Sequence, residues 1–144
     1  MPFKTIELTN ANAINEQPAK LRHFYKGFSS LSANPGSRLY DMDLVKQDII
    51  NHFNTKKGSR VMNPNFGSIV WDLLMEPLTE QTRDALKDDI TTICTADPRV
   101  SASQIDITEY PMGFILEITL SLVNDDQSSV LKLTFDQKLG IVTQ

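Results

Sequence analysis

The sequence predicts an α+β domain in which helices at about 42–55, 68–75 and 80–96 pack on a three-stranded antiparallel meander at about 103–136. Three observations lead there. Apolar residues recur at helical spacing between Asp41 and Ala96, the period drops to two beyond Pro98, and the alternating runs are joined by turns too short for parallel neighbours. The 144 residues, 40% hydrophobic and 22% charged, suit one domain of ordinary size.

Residues 1–40 read as an irregular extension that reaches for a partner, set before a domain of residues 41–144. FKTIEL, residues 3–8, has the length of a short strand but no clean apolar face. Residues 9–40 carry an aromatic and basic cluster (Arg22, His23, Phe24, Tyr25, Lys26, Phe28) and the turn-prone SSLSANPGS, without a periodic apolar stripe.

From Asp41 the pattern changes. Met42, Val45, Ile49 and Phe53 fall at helical spacing, Leu44 and Ile50 widen the stripe, and Asp41 or Asp43 is placed to cap the first amides. Gly58 is the expected stop, with Lys56 and Lys57 complementing the negative end of the helix dipole. KGSRVMNPNFG, residues 57–67, brackets an irregular backbone with glycine and proline, and SIVWDLLM then forms a short helix ended by Pro77. Thr79 caps the third helix, whose apolar face is Leu86, Ile90, Ile93 and Cys94; Pro98 forces its end at Asp97. Ile105 and Ile107 alternate with polar residues, as do Phe114, Leu116, Ile118, Leu120 and Leu122, and then Leu131, Leu133 and Phe135. The turns fall at Pro111–Gly113 and Asn124–Gln127.

Charge and composition narrow the function. Fourteen Lys and Arg against 18 Asp and Glu give a net charge of −4, which disfavours nucleic acid or an anionic membrane surface as the main partner. The balance is uneven: residues 1–60 hold nine basic and five acidic side chains, and residues 61–144 hold five and thirteen. No apolar run has the length of a signal peptide or a spanning helix, and one cysteine suits a reducing compartment. P-loop, dinucleotide-binding, HExxH and GxSxG signatures are missing. Asp72 and Glu76 stand one helical turn apart, but such pairs on a surface helix are usually a solvated face. His23 and His52 lack partners at ligand spacing, Cys94 reads as a buried hydrophobe and Trp71 as a core anchor, so no metal or cofactor is expected. Two segments stand out. Residues 57–67 are either a rigid connection between helices or a functional loop. At Asp97-Pro98-Arg99, proline aims a guanidinium either at an outside carboxylate or into an internal ion pair.

These motifs also carry a resemblance. Lys57, Gly58 and Arg60, then Pro64, Phe66 and Gly67, then Glu76, Pro77 and Leu78, occur in the order found in the sheath-initiator baseplate wedge family of contractile-tailed phages, shared with type VI secretion baseplates. The chain resembles that family over about residues 43–136, and FYKGFSSL is similar to an aromatic-Gly-Phe-Ser segment of some members. Where the family carries Glu-Pro-Arg, this chain has Asp97, Pro98 and Arg99, so the acid is one methylene shorter.

The resemblance implies a structural, non-enzymatic protein of the virion tail baseplate, made in the host cytoplasm. Its expected partners are other wedge proteins, whose helical bundle docks at Asp97, Pro98 and Arg99, then tail sheath subunits, and tube or hub proteins. Some members are labelled lysozymes. A peptidoglycan hydrolase, the equivalent component of a tailocin or secretion system, and a free cytosolic adaptor are the alternatives. For sheath initiation, the last strand of the meander (Val130, Leu131, Lys132, Leu133, Thr134, Phe135 and Asp136) is the expected template, since a terminal strand keeps an open edge.

Overall fold

A computed structural model describes residues 22–30 and 36–143. Strands β1 (Lys26–Phe28) and β2 (Arg38–Tyr40) form a small antiparallel pair ahead of helix α1 (Asp41–Asn54). The short helix α2 (Val70–Leu73) and the long helix α3 (Glu80–Ala96) follow. The chain then makes four antiparallel strands in sequence order: β3 (Val100–Tyr110), β4 (Gly113–Leu122), β5 (Ser128–Asp136) and β6 (Gly140–Thr143).

The core lies between the helices and one face of the large sheet. Every second residue of β4, from Phe114 to Leu122, is buried, and so are Leu131, Leu133 and Phe135 of β5. They meet Met42, Val45, Ile49, Ile50 and Phe53 from α1 and Leu86, Ile90, Ile93 and Cys94 from α3. Phe53 meets Phe135 edge-on at 6.1 Å and Phe114 stacks on Phe135 at 5.1 Å, which ties α1 to the sheet centre. Gly113 opens β4 where an added Cβ would stand 1.9 Å from the Phe135 carbonyl oxygen, so the backbones approach too closely for any side chain.

Several expectations need correction. The meander has four strands, because Asp136 accepts the amides of Lys138 and Leu139 and the chain returns as β6, too short to show periodicity. It also begins at Val100, where a bulge between Ala102 and Gln104 breaks the alternation. The stretch read as irregular contains β1 and β2, three residues each, with Gly27 packed under Leu44. The second helix is only Val70–Leu73, and the chain then turns, with the Glu76 amide donating to the Leu73 carbonyl. Neither acid caps α1. Tyr40 is its N-cap without a side-chain bond, and Asp41, at a φ of 43°, turns its carboxylate back to accept the amides of Phe24 and Tyr25 at 2.7 and 2.8 Å. Thr79 does cap α3, accepting from the Thr82 amide. The FKTIEL strand lies outside the described residues.

Candidate functional site

The corner after α3 is built by its own sequence. Pro98 holds Asp97 in an extended conformation at the helix end, and Asp97 Oδ1 accepts the Arg99 amide at 3.0 Å, an Asx turn. The same carboxylate takes Arg99 Nε at 2.9 Å on Oδ1 and Nη2 at 2.6 Å on Oδ2. Nη2 also reaches Asp48 of α1 at 2.7 Å, and the guanidinium lies 5.8 Å from the Tyr25 ring. Of the two readings open for Arg99, the internal ion pair is present: Nε and Nη2 are engaged within the chain. The Arg99 hydrogen bonds hold the Asp97 carboxyl below its usual range despite burial, and Asp97 and then Asp48 raise the guanidinium further above its own. The shorter acid suits this geometry, because an aspartate oxygen reaches an amide two residues on while its partner oxygen faces the guanidinium.

Residues 57–67 form a loop pinned at its base. The Lys57 amide donates to Ser68, the Ser68 amide to Thr55 and the Gly58 amide to Pro64, at 3.2, 2.9 and 2.9 Å. At Gly67 φ is 113°, and a Cβ there would lie 2.6 Å from the Thr55 carbonyl oxygen, so only glycine closes the loop. Phe66 stacks on His52 at 3.9 Å, and the Arg60 guanidinium lies over the Phe66 ring, 3.8 Å from its centroid. Burial depresses the His52 pKa, with Arg60 and Lys57 adding to it against the Gly67 carbonyl and Asp89. The lysines that follow the end of α1 also bind acids: Lys56 pairs with Asp72, and Lys57 with Asp89 at 3.3 Å.

Asp89 escaped the sequence reading. Buried on α3, it accepts the Ser68 hydroxyl at 2.9 Å and the Ile69 amide at 3.1 Å, anchoring the loop exit and the start of α2. The signal was available: Asp89 lies three residues after Leu86 and four before Ile93, inside the apolar stripe where a carboxylate needs partners. Between α1, the loop and the corner runs a groove of about 650 Å³, with Ile49, Ile93 and Pro98 along it and Asp48, Arg60 and Phe66 at its sides.

The expected template strand is not the sheet edge along its whole length. β6 covers Leu133, Thr134, Phe135 and Asp136, while Ser128–Leu131 have no partner on that side among the described residues. The amide of Leu122 donates to the Gln127 carbonyl, and the β4–β5 register runs unbroken from that pair, so alternation directs the main-chain groups of Leu131 and Leu133 toward β4 and those of Val130 and Lys132 outward. Outer-face Lys132 pairs with Glu117 at 3.0 Å.

The remaining candidates are accounted for by local contacts. His23 Nδ1 bonds Asp41 at 2.8 Å and its ring stacks on Tyr40 at 4.2 Å. Cys94 is buried, and desolvation followed by the Asp97 charge pushes its thiol up to about 11. Trp71 is half-buried and its indole donates to the Phe53 carbonyl at 2.8 Å. Asp72 and Glu76 are exposed, unlike a catalytic acid held in an apolar cleft. Among the described residues no cluster of three or more metal-ligating side chains occurs, and no helix is long and apolar enough to cross a membrane.

Fold and site together define a small α+β module: a helical pair and its pinned loop on one face of an antiparallel sheet, closed by an arginine-centred corner. The chain belongs to the baseplate wedge protein gp25 family, whose model matches residues 41–127. It is 28% identical over 103 residues to the baseplate wedge protein gp25 of Enterobacteria phage T4, covering 67% of this chain and 76% of that protein. A solved structure described as a putative tail lysozyme from Geobacter sulfurreducens is similar in fold, with a TM-score of 0.57 at 17% identity over 65% of this chain and 88% of its own. The family's description names a structural component and no reaction.

Proposed function

We propose that this protein is a structural component of a phage tail baseplate wedge, that it binds other wedge proteins around the Asp97–Arg99 corner, and that its sheet starts contractile sheath polymerisation by accepting a strand. The match of residues 41–127 to the wedge family is the observation that carries the reading. The sheet supports the finer part. Main-chain groups at Val130 face a side with no partner strand among the described residues, and β6 ends alongside, so an incoming extended segment finds both a ladder to join and a strand end to abut. Residues 22–30 and 36–40 belong to the same docking surface in this reading, since Tyr25 sits by Arg99 and its hydroxyl accepts from Asn124 at 2.8 Å.

Two proline substitutions test strand addition. Val130→Pro removes an outward amide and spares the β4 ladder, whereas Leu131→Pro removes an inward one. The first variant should fold, enter baseplates and leave tubes without sheath, and the second should fail to fold. Full-length sheath on baseplates carrying Val130→Pro would overturn the assignment of this strand.

A further inference from the structure

The groove beside the corner has two poles of opposite sign. At one end Asp48 and Asp97 share the single Arg99, leaving one negative charge in excess. At the other, Arg60 is exposed and forms no ion pair with a carboxylate among the described residues, whereas its loop neighbours Lys56 and Lys57 are both paired. Its guanidinium is nevertheless held in place. Phe66 lies 3.8 Å beneath it and is itself stacked on His52, which is fixed in α1, so a normally mobile side chain has a platform and its donors remain available. Just beyond, Val61 and Met62 project at 94% and 96% exposure from a loop pinned at its base by main-chain hydrogen bonds. Among the described residues, neither of these two apolar side chains belongs to the core.

Resting on the baseplate reading above, we propose that this groove receives a segment of a neighbouring wedge protein that places a carboxylate against Arg60, apolar side chains against Val61, Met62 and the groove, and a basic side chain near Asp48. Charge complementarity selects such a partner over nucleic acid. A phosphate backbone would meet Asp48 and Asp97 at the other pole, and the chain as a whole carries −4. Arg60 then acts as a specificity contact: a guanidinium pre-set by stacking loses little freedom on pairing, and the partner's carboxylate is read bidentately.

The test is genetic and uses the full chain in the phage. Arg60→Glu reverses the pole, and Arg60→Met keeps a stem able to lie on Phe66 while removing the charge. Both purified variants should melt as the native protein does, and both should reduce incorporation into baseplates about tenfold or more. Plaque-forming revertants of Arg60→Glu should carry an acidic-to-basic change in another baseplate protein. Normal incorporation of both variants, or revertants confined to this chain, would overturn the proposal. So would binding of a 20-nucleotide oligonucleotide by the native protein that Arg60→Glu abolishes, which would make the partner a nucleic acid. The two readings fail separately. If native protein is found in purified baseplates and Arg60→Glu enters them equally well, the groove assignment falls and the wedge reading stands; if native protein is missing from baseplates, the wedge reading falls.

Discussion

Replacing Arg99 with alanine isolates the energetic role of the corner. The side chains of Arg99 and Asp97 are 26% and 16% exposed, so their pair is only partly screened, whereas Asp48 at 45% contributes little. Arg99→Ala removes the Nε and Nη2 bonds but leaves the backbone amide on Asp97 Oδ1. Losing charge-assisted bonds to a half-buried carboxylate costs about 1 to 3 kcal/mol. For a domain of this size that lowers Tm by about 3 to 10 °C. The pH dependence has a definite sign. Because the folded Asp97 carboxyl titrates below its unfolded value, the pair's contribution is full above about pH 4 and fades as pH falls through the lowered folded value. Thermal unfolding followed by circular dichroism should therefore separate Arg99→Ala from the native protein at pH 7 and bring the two together in acid. A cycle with Asp97→Asn, which keeps an oxygen for the Arg99 amide, isolates the charge. Coupling below about 0.3 kcal/mol at neutral pH, or a gap that widens on acidification, would refute this account.

Two further outcomes follow from packing. Cys94, buried with its thiol raised to about 11, should resist Ellman's reagent at pH 8 in the native protein and react fully in denaturant; rapid native labelling would place the thiol at the surface. Gly67→Ala forces a Cβ against the Thr55 carbonyl at a φ of 113°, and should cost about 2 kcal/mol or more by urea unfolding, whereas an unchanged midpoint would mean the loop base can move aside.

The elements legible in the sequence are those whose side chains repeat. Met42, Val45, Ile49 and Phe53 mark a full helix face, and Phe114 to Leu122 a full strand face, because each buries one side against the same core. Where an element is too short to repeat, the pattern is silent. β1 and β2 have three residues each, and β6 has four, one of which, Ile141, packs partly on the core. That silence has a functional consequence, since missing β6 turns a half-covered strand into an apparent edge and blurs which of its amides face outward.

The site was legible as residue types and not as partnerships. Proline after Asp97 announces a fixed corner, but whether Arg99 points out or in depends on Asp48, 51 residues earlier in the chain, and on the turn of α1 that presents it. The same holds for the loop. Its glycines and proline mark an irregular backbone, yet the feature on which the proposed recognition rests is the stacking of His52, Phe66 and Arg60, which joins a helix residue to a loop residue fourteen positions on. Internal pairing of Arg99 changes what the corner can contribute. With Nε and Nη2 committed to Asp97 and Asp48, what the corner brings to the proposed docking is shape and a residual negative charge, while the guanidinium along the groove that has no carboxylate partner among the described residues is that of Arg60.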